Sequence, residues 1–212
     1  MFMKKYIQLL SIEPLHAVET TNWKRTVYHL KNRKERSPLL IVDKRESTYN
    51  EYVLVSGHSY YQVLYDQNPD QMVFCNVISR RNRRKELDAV LQVVLQADEP
   101  NRHVIHYLVW ELFRMGESVA ALAKQLKCSM EETKEVLIDP AIPRSYDLDA
   151  IEMDKIVALN TIAKSVHFEE RVKQTLYTWA LHPTKAINLS TIQTMEKMEP
   201  SKINTAIYHA SL

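Results

Sequence analysis

Apolar positions along this chain change their spacing near residue 86. Up to that point they mostly arrive in short runs. Tyr6-Ile-Gln-Leu-Leu-Ser-Ile12 predicts a short strand. Thr21 is a helix N-cap ahead of Trp23, Val27 and Leu30 on one side, and Pro38 stops that pattern. Leu39–Val42 predicts a four-residue strand, and Asp43–Asn50 a polar turn. Glu51–Val55 is a further β-branched strand, ended by Ser56-Gly57. His58–Tyr65, with Tyr61, Val63, Leu64 and Tyr65, predicts a short helix. Asn68-Pro69-Asp70 is a turn signal, and Met72–Ile78 another strand.

The rest of the chain carries the helical period. Leu87, Val90, Leu91, Val94 and Leu95 keep the i, i+3, i+4, i+7 spacing. Asp98-Glu-Pro100 breaks it, and Val104, Leu108, Leu112 and Met115 resume it. Gly116 fits the C′ position after that helix. Ser118–Leu126 and Ser129–Leu137 predict two short helices. The stretch from Ile138 to Pro143 is a proline-punctuated linker. Leu148–Ala163, Glu169–Leu181 and Leu189–Met198 predict three more helices, with Pro183 and Pro200 ending patterns.

Glycine content supports a mostly helical reading. Only 2 of the 212 residues are glycine, Gly57 and Gly116, where average usage is about seven per cent. Few tight hairpins are therefore expected. The two cysteines, Cys75 and Cys128, are far apart, which fits reduced, buried thiols in a cytoplasmic protein. No apolar run approaches the roughly 20 residues of a membrane span. The apolar part of Met1–Leu10 is too short for a signal peptide core.

Net charge is only +2, so distribution matters more than the sum. Lys31–Arg36 and Arg80–Lys85 are basic clusters. The second places Arg80, Arg81, Arg83, Arg84 and Lys85 at a predicted strand-to-helix junction, where first-turn amides also favour an anion. Phosphate contact and a plain solvated face are both open readings of this run.

Glu117–Leu137 has the lengths of a helix-turn-helix. Val119, Leu122 and the small Ala123 face inward on its first helix, and Leu126 plugs the turn. Ser129 caps the second helix, with Glu132 completing a capping box. Lys127 stands where glycine is commoner. Ser118, Ser129, Met130, Glu132, Thr133 and Lys134 are the candidate DNA-contacting positions. Met130, Glu131, Glu132 and Thr133 form an acidic reading face, although glutamate can accept from cytosine N4. A plain helical hairpin is the competing reading.

The order of these motifs resembles ParB-like proteins over roughly residues 6–145. The resemblance rests on Pro38-Leu-Leu-Ile-Val42, on Tyr52-Val-Leu-Val-Ser-Gly-His-Ser-Tyr-Tyr-Gln-Val-Leu64, on Met72–Ile78, and on the helix-turn-helix that follows Gly116. It implies an α+β, predominantly helical fold. A small ParB/sulfiredoxin-like α/β unit would span 1–85, a helix-turn-helix domain 86–143 and a helical region 144–212. It also implies partition or transcriptional control through DNA, and in many members CTP binding and hydrolysis. Here Gly57 and His58 match the nucleotide turn, but Ser59 and Tyr60 replace its two arginines, and Ala97 replaces a later one. Each lost charge-assisted bond is worth about 1.5–3 kcal/mol, so no nucleotide cofactor is expected.

Other constellations are weaker. His103 and His106 with Glu111 lack a further ligand at metal-site spacing. His58 has no neighbouring carboxylate to make a catalytic pair. Tyr49, Tyr52, Tyr60, Tyr61 and Tyr65 read as packing around the turn, and Trp110 and Trp179 as core or interface anchors. The expectation is therefore a non-enzymatic, sequence-specific protein without metal or catalytic residues. It would bind double-stranded DNA as a homodimer, as a nucleoid-associated regulator or partition protein of a phage or plasmid. The alternatives are a protein-binding adaptor on the same scaffold and a residual nucleotide-dependent enzyme.

Overall fold

The computed structural model describes residues 2–15, 40–44, 52–97, 100–184, 186–198 and 202–203. The helix expected from Thr21, the first basic cluster, Pro38, Tyr49 and Pro200 lie outside these residues. The chain divides into two compact units, Met1–Gly116 and Glu117–Leu212. The expected boundaries at 85 and 143 are not where it divides. The helix Arg83–Leu95 packs on the sheet and carries the helix Arg102–Arg114, while after residue 143 the helix Ile156–Lys164 packs on the second helix of the helix-turn-helix and gathers the remaining helices around it.

The first unit is built on a five-stranded sheet in the order β1-β5-β3-β4-β2. The strands are β1 Met3–Gln8, β2 Ile12–Pro14, β3 Leu40–Lys44, β4 Tyr52–Ser56 and β5 Met72–Val77. β1 runs antiparallel to β5, β5 parallel to β3, β3 antiparallel to β4, and β4 parallel to β2. The single strand expected over Tyr6–Ile12 is two strands on opposite edges. A 3₁₀ turn at Leu9–Ser11 separates them. Ser11 Oγ donates to the Gln8 carbonyl at 2.7 Å, and the Leu9 amide to the Gln71 carbonyl at 3.0 Å. Leu9 is fully buried, so the apolar run continues as core while the backbone turns away.

Successive strand residues point to opposite faces, and the two faces are covered differently. One carries Ile7, Leu40, Val42, Tyr52, Leu54, Val73, Cys75 and Val77, clustered with Tyr61 of α1, His58–Gln67. The other carries Asp43, Val53 and Val55, all fully buried. There α2, Arg83–Leu95, packs against β4 and against α3, Arg102–Arg114. Leu87, Val90, Leu91 and Val94 of α2 are buried, as their spacing predicts. Asn101 caps α3 by accepting from the Val104 amide at 3.2 Å. Gly116 follows at φ +90°, as expected for a C′ residue.

The second unit is helical: α4 Val119–Leu126, α5 Met130–Val136, α6 Asp147–Glu152, α7 Ile156–Lys164, α8 Glu170–Ala180 and α9 Leu189–Glu196. α7 packs against α5, α6, α8 and α9 and is the centre of this unit. The helix expected over Leu148–Ala163 is split into α6 and α7. Asp154 adopts φ +53°, and the amides of Asp154 and Lys155 return to the carbonyls of Ile151 and Ala150 at 3.3 and 2.8 Å. This is a Schellman end without its usual glycine, so the apolar spacing runs on through a real break.

Candidate nucleic-acid interface

In α4 and α5 the local chemistry specifies the helix-turn-helix. Ser118 Oγ accepts from the Ala121 amide at 3.2 Å and starts α4. Leu122 and Ala123 are buried, so the two helices approach over a small side chain. Lys127 ends α4 in the left-handed region at φ +55°, and the Cys128 amide returns to the Ala123 carbonyl at 3.1 Å. Ser129 then begins α5 with both halves of a capping box. Its Oγ accepts from the Glu132 amide at 3.1 Å, and its own amide donates to Glu132 Oε2 at 2.7 Å. Those bonds hold the Glu132 carboxyl below the usual range.

The exposed face of α5 differs from the expected reading set at Thr133. This side chain is fully buried. Its hydroxyl donates to the Ser129 carbonyl at 2.9 Å and lies 3.2 Å from Cys128 Sγ. Thr133 therefore closes the turn from inside and does not face a groove. Met130, Glu131, Glu132, Lys134 and Glu135 are exposed. Lys124 and Lys127 are exposed as well, two cations on the hairpin that the expected set omitted. Lys127 was visible in the sequence as the odd residue at the turn. Beyond α5, Asn160 of α7 ties down the chain by accepting from the Asp139 amide at 2.8 Å and donating to the Leu137 carbonyl at 2.7 Å.

The basic run begins in a 3₁₀ turn, Arg80–Asn82, and continues into α2. Arg80, Arg81, Arg84 and Lys85 are exposed. Arg83 is not one of this outward set. Its guanidinium forks onto both carboxylate oxygens of Asp43, and its Nη2 also donates to Glu111 at 2.7 Å. Tyr107 Oη donates to Asp43 Oδ2 at 2.8 Å, and Arg114 donates to Glu111 at 2.8 Å. Arg83 is thus an internal link joining β3, α2 and α3.

The charges in this cluster are set by burial against pairing. Burial pushes the Asp43 carboxyl above the usual range, against the pull of Arg83 and Tyr107. Burial opposes the Arg83 charge, but Asp43 more than offsets it, and the guanidinium holds its proton more firmly than usual. Burial, then Asp43 and Glu111, keep the Tyr107 phenol well above its normal range. Asp43 and Tyr107 were not singled out in the sequence, because their partners lie 40 and 64 positions away along the chain. The anion position at the start of the basic run is also partly taken by the chain itself. Glu86 is buried and accepts from the Ser79 amide at 2.7 Å and from Ser79 Oγ at 3.2 Å.

Gly57 stands at the N-cap of α1 with φ +92°, and its carbonyl accepts from the Tyr60 and Tyr61 amides at 3.0 and 2.9 Å. Ser59 and Tyr60 follow in this first turn with no cation between them. Tyr60 packs against the buried cluster, and Tyr61 is part of it, its Oη donating to the Ile12 carbonyl at 3.0 Å. His106 is buried on α3 and accepts from Arg102 Nε at 3.5 Å. Among the described residues no group of three or more His, Cys, Asp or Glu is placed to hold a metal ion. No described helix is long and apolar enough to cross a membrane.

No protein-family model matches this chain. No curated protein matches it. Among solved structures, it is similar to the C-terminally truncated chromosome-partitioning protein ParB from Caulobacter crescentus complexed to the centromeric parS site. The TM-score is 0.37 and the identity 11%, over 91% of this chain and 98% of that one. The same protein complexed with CTP-gamma-S gives a TM-score of 0.30 and 9% identity, over 97% of this chain and 99% of that one.

Proposed function

We propose that this chain binds double-stranded DNA through the α4–α5 helix-turn-helix, with ParB-like partition or regulatory work as its role. The observation that carries the reading is the closure of the motif. A left-handed Lys127, a capping box at Ser129 and a buried Thr133 close the turn between α4 and α5 while Met130 and Lys134 stay outside. A second helix held in this way is what major-groove docking requires. Ser118 and Ser129 start the two helices, and Lys124, Lys127 and Lys134 supply the hairpin's outward cations. Arg80, Arg81, Arg84 and Lys85 hold phosphates from the first unit. The source of such a protein would be a phage or plasmid, and its binding form a homodimer on a two-fold site.

Retention of sheared genomic or plasmid fragments on the purified chain tests this. Selected fragments should share a sequence element, and Met130→Ala with Lys134→Ala should erase that selection. Retention of no fragment at low salt rejects the reading. The same reading holds the chain to be non-enzymatic, since Ser59 and Tyr60 offer no guanidinium to a triphosphate. Heat on titration with CTP or ATP would contradict that part.

A second reading has its own observation. The outer face of α5 carries Glu131, Glu132 and Glu135 against a single Lys134. Such a face suits a basic protein surface better than a phosphate backbone. Glu131→Lys with Glu135→Lys separates the two readings. The pair should strengthen duplex binding through added charge if α5 faces DNA. It should abolish a partner complex, with no gain on DNA, if α5 faces protein.

A further inference from the structure

The sheet of the first unit is covered unevenly on its α2–α3 side. The helices lie over Asp43, Val53 and Val55 of β3 and β4, which are fully buried. On β1 and β5 the same face carries Lys4, Tyr6 and Gln8 beside Asn76, Phe74 and Met72, their direct cross-strand partners. Here Tyr6 is 59% exposed and Met72 58%. The Tyr6 and Phe74 rings lie side by side, with centroids 4.9 Å apart. Lys4 and Gln8 are also exposed. An aromatic pair on an open sheet face, bordered by amides and a lysine, costs solubility unless something uses it.

We propose that this half-sheet is a stacking platform for single-stranded DNA. Aromatic rings on a pleated sheet present flat π-faces to successive unpaired bases. Gln8 and Asn76 bring amide donors and acceptors to the edges of those bases. The charge complement lies at one end. Asn76 pairs with Lys4, and the chain leaves β5 at Val77 directly into the basic run. Arg80 is at most about 11 Å of chain beyond Val77. Exposed Arg80 and Arg81 therefore stand at the Lys4 end of the platform, where a strand lying across Tyr6 and Phe74 runs on with its phosphates. β1 and β5 carry no acidic residue, and the acidic side chains elsewhere on this face are Asp43, sealed beneath α2 and α3, and Glu13 of β2, on the opposite edge of the sheet.

The proposal rests on the duplex reading above only in choosing DNA over RNA. Stacking itself is independent of the second unit. The test is fluorescence anisotropy of the full chain with labelled mixed-sequence oligonucleotides of about 12 nucleotides. Single-stranded DNA, single-stranded RNA and duplex DNA are compared in low salt. Single-stranded DNA should bind, and Tyr6→Ala should weaken it about tenfold while leaving duplex affinity unchanged. Tyr6→Phe should restore binding, because it keeps the ring and loses only the hydroxyl. Tyr6 is exposed, so the alanine variant should keep the thermal midpoint of the parent, and an unchanged midpoint shows that the loss is not unfolding. Phe74→Trp is a second probe, which should bind single strands and quench on doing so. Loss of single-strand binding in an Arg80→Ala, Arg81→Ala variant with no effect of Tyr6→Ala overturns the platform. So does equal or tighter binding of RNA, absence of single-strand binding while duplex still binds, or a change of sedimentation in Tyr6→Ala that assigns the face to a second copy.

Discussion

Lys127 holds φ +55° without the freedom of glycine. A left-handed residue with a Cβ costs about 1–2 kcal/mol, partly returned on substitution because glycine loses more chain entropy on folding. Lys127→Gly should therefore raise the stability of the second unit by up to about 1 kcal/mol in urea titration. Asp154, at φ +53°, should gain less from the same change, because aspartate tolerates this region through local hydrogen bonds. Ser129→Ala removes the acceptor for the Glu132 amide and should cost about 1 kcal/mol. The capping box was legible because a serine and a glutamate three apart suffice to define it. Gly116 was legible for the same local reason. The burial of Thr133 was not, since a threonine on an acidic helix reads as surface until its partners at Ser129 and Cys128 are seen.

Elements in the first unit are joined by charge as well as by apolar packing. Arg83 of α2 reaches Asp43 of β3 and Glu111 of α3. Arg83→Met leaves two carboxylates facing each other, one of them fully buried, and should destabilise this unit by about 3 kcal/mol or more. Lys85→Met, at an exposed cation two residues on, should change stability by less than about 0.5 kcal/mol. Chemical denaturation of the two variants checks the contrast. Sequence could not separate these cations, because the difference lies in partners 40 and 28 positions away. The same distance effect hid the split of the first expected strand, whose second half pairs with β4 on the far edge.

The buried sheet face also sets a pH dependence. Burial pushes the Cys75 thiol up to about 12, from an ordinary value of 9.0. Burial likewise raises Tyr61 to about 12, from 10.0. The unfolded chain releases these protons first, so it binds fewer protons than the folded one above pH 9. Stability contributed by both groups is complete below their unfolded values and is lost as pH climbs toward 12. Guanidinium midpoints should fall steadily across that window. Cys75→Val, close in volume and without a titrating group, should flatten the early part of the fall and cost less than about 1.5 kcal/mol at neutral pH. An unchanged slope would place the alkaline sensitivity elsewhere.

At the scale of the whole molecule, the positions of β3, β4 and β5 and the helical second half follow from apolar spacing that was readable in advance. The division after Gly116 was not, because it depends on which helices bury their faces against which neighbours. The candidate surfaces that remain are the outer side of α4–α5, the four outward cations of residues 80–85 and the open half-sheet. Their charges make opposite predictions for partners, and salt dependence distinguishes them. Duplex affinity of the full chain should fall linearly on a log–log plot with salt, by about 0.9 for each phosphate contact. The most direct measurement is that slope for the parent and for the Arg80→Ala, Arg81→Ala, Arg84→Ala, Lys85→Ala and the Lys124→Ala, Lys127→Ala, Lys134→Ala variants. Duplex binding by the parent and a shallower slope for each variant, by about 0.9 per contact removed, is the expected result. Absence of duplex binding at the lowest salt, or slopes identical across all three proteins, would contradict it.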